Sequence, residues 1–245
     1  MATISEPEIV LYDLACTKGV CFSPVVWRIR LMLNHKRITY RTIFLEFPDI
    51  EPTLKALGLV PSETATGSKI KYTVPAIHHT PSNTYIMESV LVAQFLESTY
   101  PIPPVPLTSD LGREIETISR GVVGPIFRVS VMPREIGILS VRAQEYFRRT
   151  REAQLGHGLE ELLLQEEERW NGVEDSMRAV GELMQTHKAD GPFVLGARPS
   201  YTDFFIAGNL QSARVIDESV FQRIVKYPGY KEVYEACLPY MEKKD

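Results

Sequence analysis

Apolar and polar positions follow two different rhythms along this chain. In the first hundred residues, short apolar runs alternate with helix-period segments. Residues 8–13, EIVLYD, read as a strand. Residues 23–34, SPVVWRIRLMLN, are apolar at 25, 26, 29, 31 and 33 with Arg28 and Arg30 between, which fits an amphipathic helix. Residues 39–47 alternate as a second strand, and DIEPTLKALGL (49–59) makes a short helix or turn. IKYTVPAI (70–77) and NTYIMES (83–89) then read as strands paired across the turn HHTPSN, with a helical pattern resuming over 89–100. The order is βαβα followed by ββα.

The segment PIPPVPL (101–107) is a boundary. Four prolines there cannot continue a helix and favour a stiff, extended connector. Beyond it the pattern is helical, over 109–135, 140–155, 159–188, 200–215 and 219–241. An α/β unit over 1–100, a linker over 101–107 and an all-helical unit over 108–245 are expected.

Composition narrows the function only by exclusion. A net charge of -4 argues against nucleic acid or an anionic membrane as partner. No apolar run approaches the roughly 20 residues that a membrane helix needs. The first residues, MATISEPEIVLYDL, lack the basic and apolar regions of a secretory signal. Three cysteines, Cys16, Cys21 and Cys237, make no disulfide framework, so a reducing, cytoplasmic setting is expected. Their spacing fits neither a redox CxxC nor a metal site, and the five histidines, with His78 and His79 assigned to a turn, show no ligand spacing either.

Two loops carry candidate chemistry. Ser23-Pro24 precedes a helix, and a serine cap with proline at the first helical position explains that pair without any function. The same geometry gives a second reading. A helix N-terminus offers oriented N–H groups and partial positive charge, and a hydroxyl there can donate to the sulfur of a bound thiol. Serine would then make the ligand's thiol the nucleophile. Cys21 competes, since a cysteine near a helix N-terminus can itself be reactive. Glu88 and Ser89 open another helix. They serve as first-turn caps or as grips for a ligand's ammonium and carboxylate. Pro75 sits where a strand would lose a hydrogen bond. If its peptide bond is cis, the main chain of Val74 is left to pair with an extended, peptide-like ligand. Ser200 and Asp203 have the spacing of a capping box and are read as structural.

Taken in order, CFSPVVWRIR (21–30), TVPAI (73–77), MES (87–89) and PSYTDF (199–204) resemble a cytosolic glutathione transferase. They are most similar to the fungal-specific, etherase-related and omega-like class, with serine at the active position. The resemblance covers nearly the whole chain. It implies a thioredoxin-like N-terminal domain, a helical domain that contributes the electrophile site, and a homodimer active in detoxification. Glutathione is the implied co-substrate. Ser23 would act on its thiol, Val74 before Pro75 would meet its cysteinyl backbone, and Glu88 with Ser89 would hold its γ-glutamyl end. Lys71 is a candidate for the glycyl carboxylate. The second ligand would be a hydrophobic or aromatic molecule, a phenolic or an aryl ether, against GVVGPIFRVSVM (121–132), with Phe127, Arg128 and Met132 as its contacts. A cysteine-type reductase using Cys21, and a binding protein with little turnover, stand as alternatives.

Overall fold

The computed structural model describes residues 7–61 and 71–243. Four strands form one mixed sheet in the order β2-β1-β3-β4. These are β1 (Ile9–Leu14), β2 (Tyr40–Leu45), β3 (Ala76–His79) and β4 (Thr84–Met87). β1 is buried throughout, as expected of an interior strand reading IVLYDL. It runs parallel to β2, starting with Ile9 opposite Tyr40, and antiparallel to β3, with Tyr12 opposite Ala76. The parallel pair requires a crossover, which α1 (Pro24–Lys36) supplies. With α2 (Ile50–Ala56) and α3 (Ser89–Thr99), the thioredoxin-like order read from the sequence is complete.

β3 starts later than the expected strand over 70–77. Residue 70 lies outside the described residues, and 71–75 are not strand. The ladder begins only after Pro75, which has no N–H to contribute. The Val74–Pro75 peptide bond is cis. At the other end, His78 and His79 belong to the strand and not to the turn. His79 is buried, with its ring nitrogens 2.6 Å from Ser82 Oγ and 2.9 Å from Tyr100 Oη.

α1 is not amphipathic. Arg28 and Arg30, taken as a polar face, are buried along with Val26, Trp27, Ile29, Leu31, Met32 and Leu33. The helix packs against α3 on one side and α8 (Tyr201–Ile216) on another, so it has no solvent face. Each arginine instead has a specific neighbour. Arg30 Nη2 donates to Asp13 Oδ2 at 2.9 Å, both side chains fully buried. The Arg28 guanidinium lies 4.4 Å from the centroid of the Phe205 ring. Gly208 lets α8 approach: a Cβ there would stand 2.9 Å from the Pro24 carbonyl oxygen and 3.2 Å from Trp27 Cβ.

The second half is helical, as expected, with more breaks than the periodicity suggests. The segment read as one helix over 109–135 is α4 (Asp110–Ile126), a π-helical turn (Phe127–Val131) and α5 (Met132–Glu135). Pro125 lies inside α4 and cannot donate to the preceding turn, and the wider turn follows directly. Two contacts hold that turn. Trp170 Nε1 donates to Ser130 Oγ at 3.1 Å, and Arg134 donates to the Ser130 carbonyl at 2.7 Å. Further on come α6 (Val141–Leu155), a 3-10 segment over Leu159–Gln165, and α7 (Glu166–Met184). The stretch 219–241 divides into α9 (Glu218–Ile224) and α10 (Tyr230–Cys237), separated around Pro228 and Gly229, the latter at φ 81°. The capping box at the start of α8 is formed: Asp203 accepts from the Ser200 N–H at 2.7 Å and from the Val194 N–H at 2.8 Å.

Candidate functional site

The sheet's hydrogen-bond register gathers the candidate residues of the first half at one end. Ala76 is opposite both Tyr12 and Met87. Val74 and Pro75 therefore lie beside the carboxyl end of β1, and Glu88 follows the carboxyl end of β4. From that same end of β1 the chain leads through residues 15–22 to Ser23. Edge-on placement of ligand loops at strand carboxyl ends is a general property of open α/β sheets.

Ser23 has extended backbone angles and its Oγ accepts the Val26 N–H at 3.4 Å, so it caps α1. Its hydroxyl proton is not consumed by that bond. Ser23 also forms part of the wall of a cleft of about 340 Å³. The opposite wall comes from the helical half and includes Phe127, Arg128 and Met132. The structure thus brings candidates from both halves of the chain to a common cavity. Phe47 and Phe147, whose ring centroids are 5.2 Å apart, extend its apolar lining.

The remaining candidates stand nearby on the sheet. Glu88 has a left-handed backbone, φ 76°, an uncommon conformation for a non-glycine residue. Its carboxylate accepts from Thr73 Oγ1 at 3.2 Å. The Thr73 N–H in turn points to the Met87 sulfur at 3.3 Å. Ser89 is the first residue of α3, and its carbonyl accepts from Tyr201 Oη at 3.4 Å, which ties α3 to α8. Val74 is nearly buried and lies outside the β3 ladder. Lys71 is exposed, and the residues just before it, 62–70, lie outside the described residues.

Cys21 does not meet the requirement for a nucleophile. It is fully buried, its sulfur directed toward the Ser23 carbonyl at 3.8 Å. Burial, reinforced by the Asp13 carboxylate, pushes its thiol well above the ordinary cysteine range. A reactive cysteine needs exposure and a lowered pKa. The Cys21 alternative is therefore set aside, and the thiol of the loop's other cysteine, Cys16, donates to the Val20 carbonyl at 3.2 Å.

Three polar lining residues were not singled out from the sequence: Glu135 on α5, Arg151 on α6 and Ser212 on α8. Burial pushes the Glu135 carboxyl up to about 7, with Arg151 opposing the shift. The Ser212 hydroxyl is buried without a hydrogen-bond partner among the described residues. Removing an orphan buried hydroxyl leaves nothing unsatisfied behind. Ser212→Ala is accordingly expected to leave stability unchanged or to raise it by up to about 1 kcal/mol. A fall in the urea midpoint would show that the hydroxyl has a partner in solution.

Ser23 at the N-terminus of α1 and an apolar wall from the helical unit thus share one cavity on a thioredoxin-like fold. The chain belongs to the glutathione S-transferase family, whose enzymes use glutathione as co-substrate. Residues 22–99 match the model "Glutathione S-transferase, N-terminal domain", and residues 115–229 match "Glutathione S-transferase, C-terminal domain". Its relatives include the glutathione S-transferase-like protein ustS of Aspergillus flavus, 29% identical over 99% of this chain and 94% of that one. Glutathione transferase GSTFuA3 of Phanerochaete chrysosporium superposes with a TM-score of 0.85 at 28% identity, covering 98% of this chain and 99% of that chain. The glutathione S-transferase CsGST63524 of Ceriporiopsis subvermispora, solved with glutathione, gives 0.81 at 27%, covering 97% and 99%. The fungal character read from the sequence agrees with these neighbours.

Proposed function

We propose that this chain binds glutathione along the carboxyl end of its sheet and presents the sulfur to Ser23 for attack on an apolar or aromatic electrophile. The observation that carries the reading is the position of Ser23: it caps α1 and shares one cleft with Phe127, Arg128 and Met132. The N–H groups and dipole of α1 favour a thiolate there, and the hydroxyl donates to it. The main chain of Val74 pairs with the cysteinyl unit. Glu88 takes the ammonium and Ser89 the carboxylate of the γ-glutamyl end. Residues 1–100 form the glutathione-binding domain in this reading, 101–107 the linker, and 108–245 the domain that receives the electrophile. Phenolics and aryl ethers fit the aromatic lining, stacking on Phe127 with Arg128 as a polar anchor. A cytoplasmic homodimer with a detoxifying role completes the picture. Exposed Val90 and Leu91 on α3 and Ile118 on α4 support a second copy packing there.

Glutathione binding is the accessible test. At about 100 times its Kd, a ligand specific for the native state adds roughly 2.7 kcal/mol of stability. A thermal scan with millimolar glutathione is expected to show a raised Tm, and Glu88→Ala to reduce the shift. An unmoved Tm would remove glutathione from the account.

A further inference from the structure

The cleft holds more positive charge than it compensates. Arg128, on the π-helical turn, is exposed, and Arg151, on α6, is half-buried; both form part of its wall. Among the described residues neither guanidinium makes a hydrogen bond or an ion pair. The contrast with neighbouring arginines is clear. Arg134, Arg142, Arg148 and Arg223 each hold a carboxylate, at 2.9, 2.6, 2.6 and 2.5 Å. Arg151 instead stands over an aromatic ring, its guanidinium 5.1 Å from the centroid of Phe147.

Glu135 is the one acid in this lining, and it forms no ion pair within 4.0 Å among the described residues. The charged group acting on it is Arg151 of α6, with Arg128 of the π-helical turn in the same lining; the 3-10 segment Leu159–Gln165 that packs against α5 carries Glu160 and Glu161, held by Arg148 and by the Gly158 N–H. α1 and α8 present only Ser23, Pro24, Ser212 and Ile216 there, none of them charged. On the acid side of neutrality Glu135 is largely protonated. The cleft then offers two guanidinium groups, an apolar floor and no anion.

We propose that the second-substrate cleft selects aromatic electrophiles that carry a carboxylate, with Arg128 and Arg151 holding that group while the ring lies against Phe127 and Phe147. Arginine's planar fork matches a carboxylate, and a low-dielectric wall strengthens the contact. The inference rests on the transferase reading and adds the substrate's charge class. With an activated aryl chloride, the glutathione thiolate attacks the ring carbon that bears chlorine. A C–S bond forms, the C–Cl bond breaks, and chloride leaves with the bonding pair. The thiol's proton goes to solvent.

A matched pair, 4-chloro-3-nitrobenzoate and 4-chloro-3-nitrobenzamide, tests it. Binding is measured by calorimetry in the presence of S-methylglutathione, which cannot react. At pH 6 the benzoate is expected to bind about tenfold tighter than the amide. Arg128→Gln and Arg151→Gln should each lower that ratio, and together bring it near one. The preference should weaken as pH rises through about 7. There Glu135 ionises and supplies the arginines with an internal anion; Glu135→Gln should remove the dependence. Equal affinity for the two compounds, or a preference that survives both arginine substitutions, overturns the inference. Turnover with glutathione, scaled to the uncatalysed rates, separates it from its foundation. Conjugation of both compounds without preference for the benzoate overturns the charge selection alone. Tight, arginine-dependent benzoate binding with no conjugation overturns the transferase reading and leaves the charge selection standing.

Discussion

Ser23→Ala is expected to lower kcat/KM for conjugation by about tenfold to a hundredfold, with glutathione affinity nearly unchanged. The Ser23 hydroxyl oxygen accepts the Val26 N–H while its proton remains free to donate into the cleft. A hydrogen bond to a charged partner is worth about 1.5–3 kcal/mol, which sets the size of the rate loss. In the proposed reading the grips on the tripeptide lie elsewhere, at Val74, Glu88 and Ser89, so binding should survive. The same substitution removes a helix cap and should cost about 1 kcal/mol of stability. Ser23→Thr keeps both the cap and a hydroxyl, so it is expected to recover most of the rate. Ser23→Cys is expected to shift activity toward thiol transfer, since a thiolate at the helix N-terminus is itself nucleophilic. If Ser23→Ala and the wild type have equal rates, Ser23 is a cap only.

The second large effect concerns the fold. Asp13→Ala is expected to destabilise the protein by about 3–5 kcal/mol, because it leaves the Arg30 guanidinium buried without its carboxylate. Asp13 and Arg30 are both fully buried and 2.9 Å apart, and Arg30 also donates to Thr42 Oγ1 at 3.1 Å. The pair fastens α1 to β1 directly beneath the loop that carries Ser23. Replacing both members, with Asp13→Leu and Arg30→Met, is expected to recover part of the loss, since no unpaired charge then remains. The urea midpoint reads both results. A single substitution that costs less than about 1 kcal/mol would place this pair with ordinary surface ion pairs.

The fold was legible in the sequence to the extent that it follows from local rules. IVLYDL announces a buried strand, Ser23-Pro24 and Ser200-x-x-Asp203 announce helix starts, and the prolines of 101–107 announce a connector. Tertiary packing overrode local rules elsewhere. Arg28 and Arg30 look like a solvated face until α8 covers them, and nothing in the sequence of α1 reveals that neighbour. Pro125 lies in a stretch read as one helix, yet the chain passes into a π-helical turn there, and Trp170, distant in sequence, holds that turn at Ser130.

The site divides in the same way. Ser23, Val74, Glu88 and Ser89 belong to short motifs and could be named from them. Phe127, Arg128 and Met132 follow from one contiguous stretch. Glu135, Arg151 and Ser212 lie on α5, α6 and α8, and only the folded chain brings them to one cavity. Their sequence neighbourhoods read as ordinary helix faces, so no local signal could have found them. Cys21 shows the converse: a residue near a helix N-terminus looks reactive until its burial is known.

The claim on which the rest depends is that Ser23 acts on the sulfur of bound glutathione. Ultraviolet absorbance of the thiolate, followed against pH for glutathione bound to the wild type and to Ser23→Ala, measures this without any second substrate. The account predicts a bound thiol more acidic than free glutathione in the wild type, and a pKa raised by about 1 unit or more in the variant. Superimposable titration curves for the two proteins would contradict it.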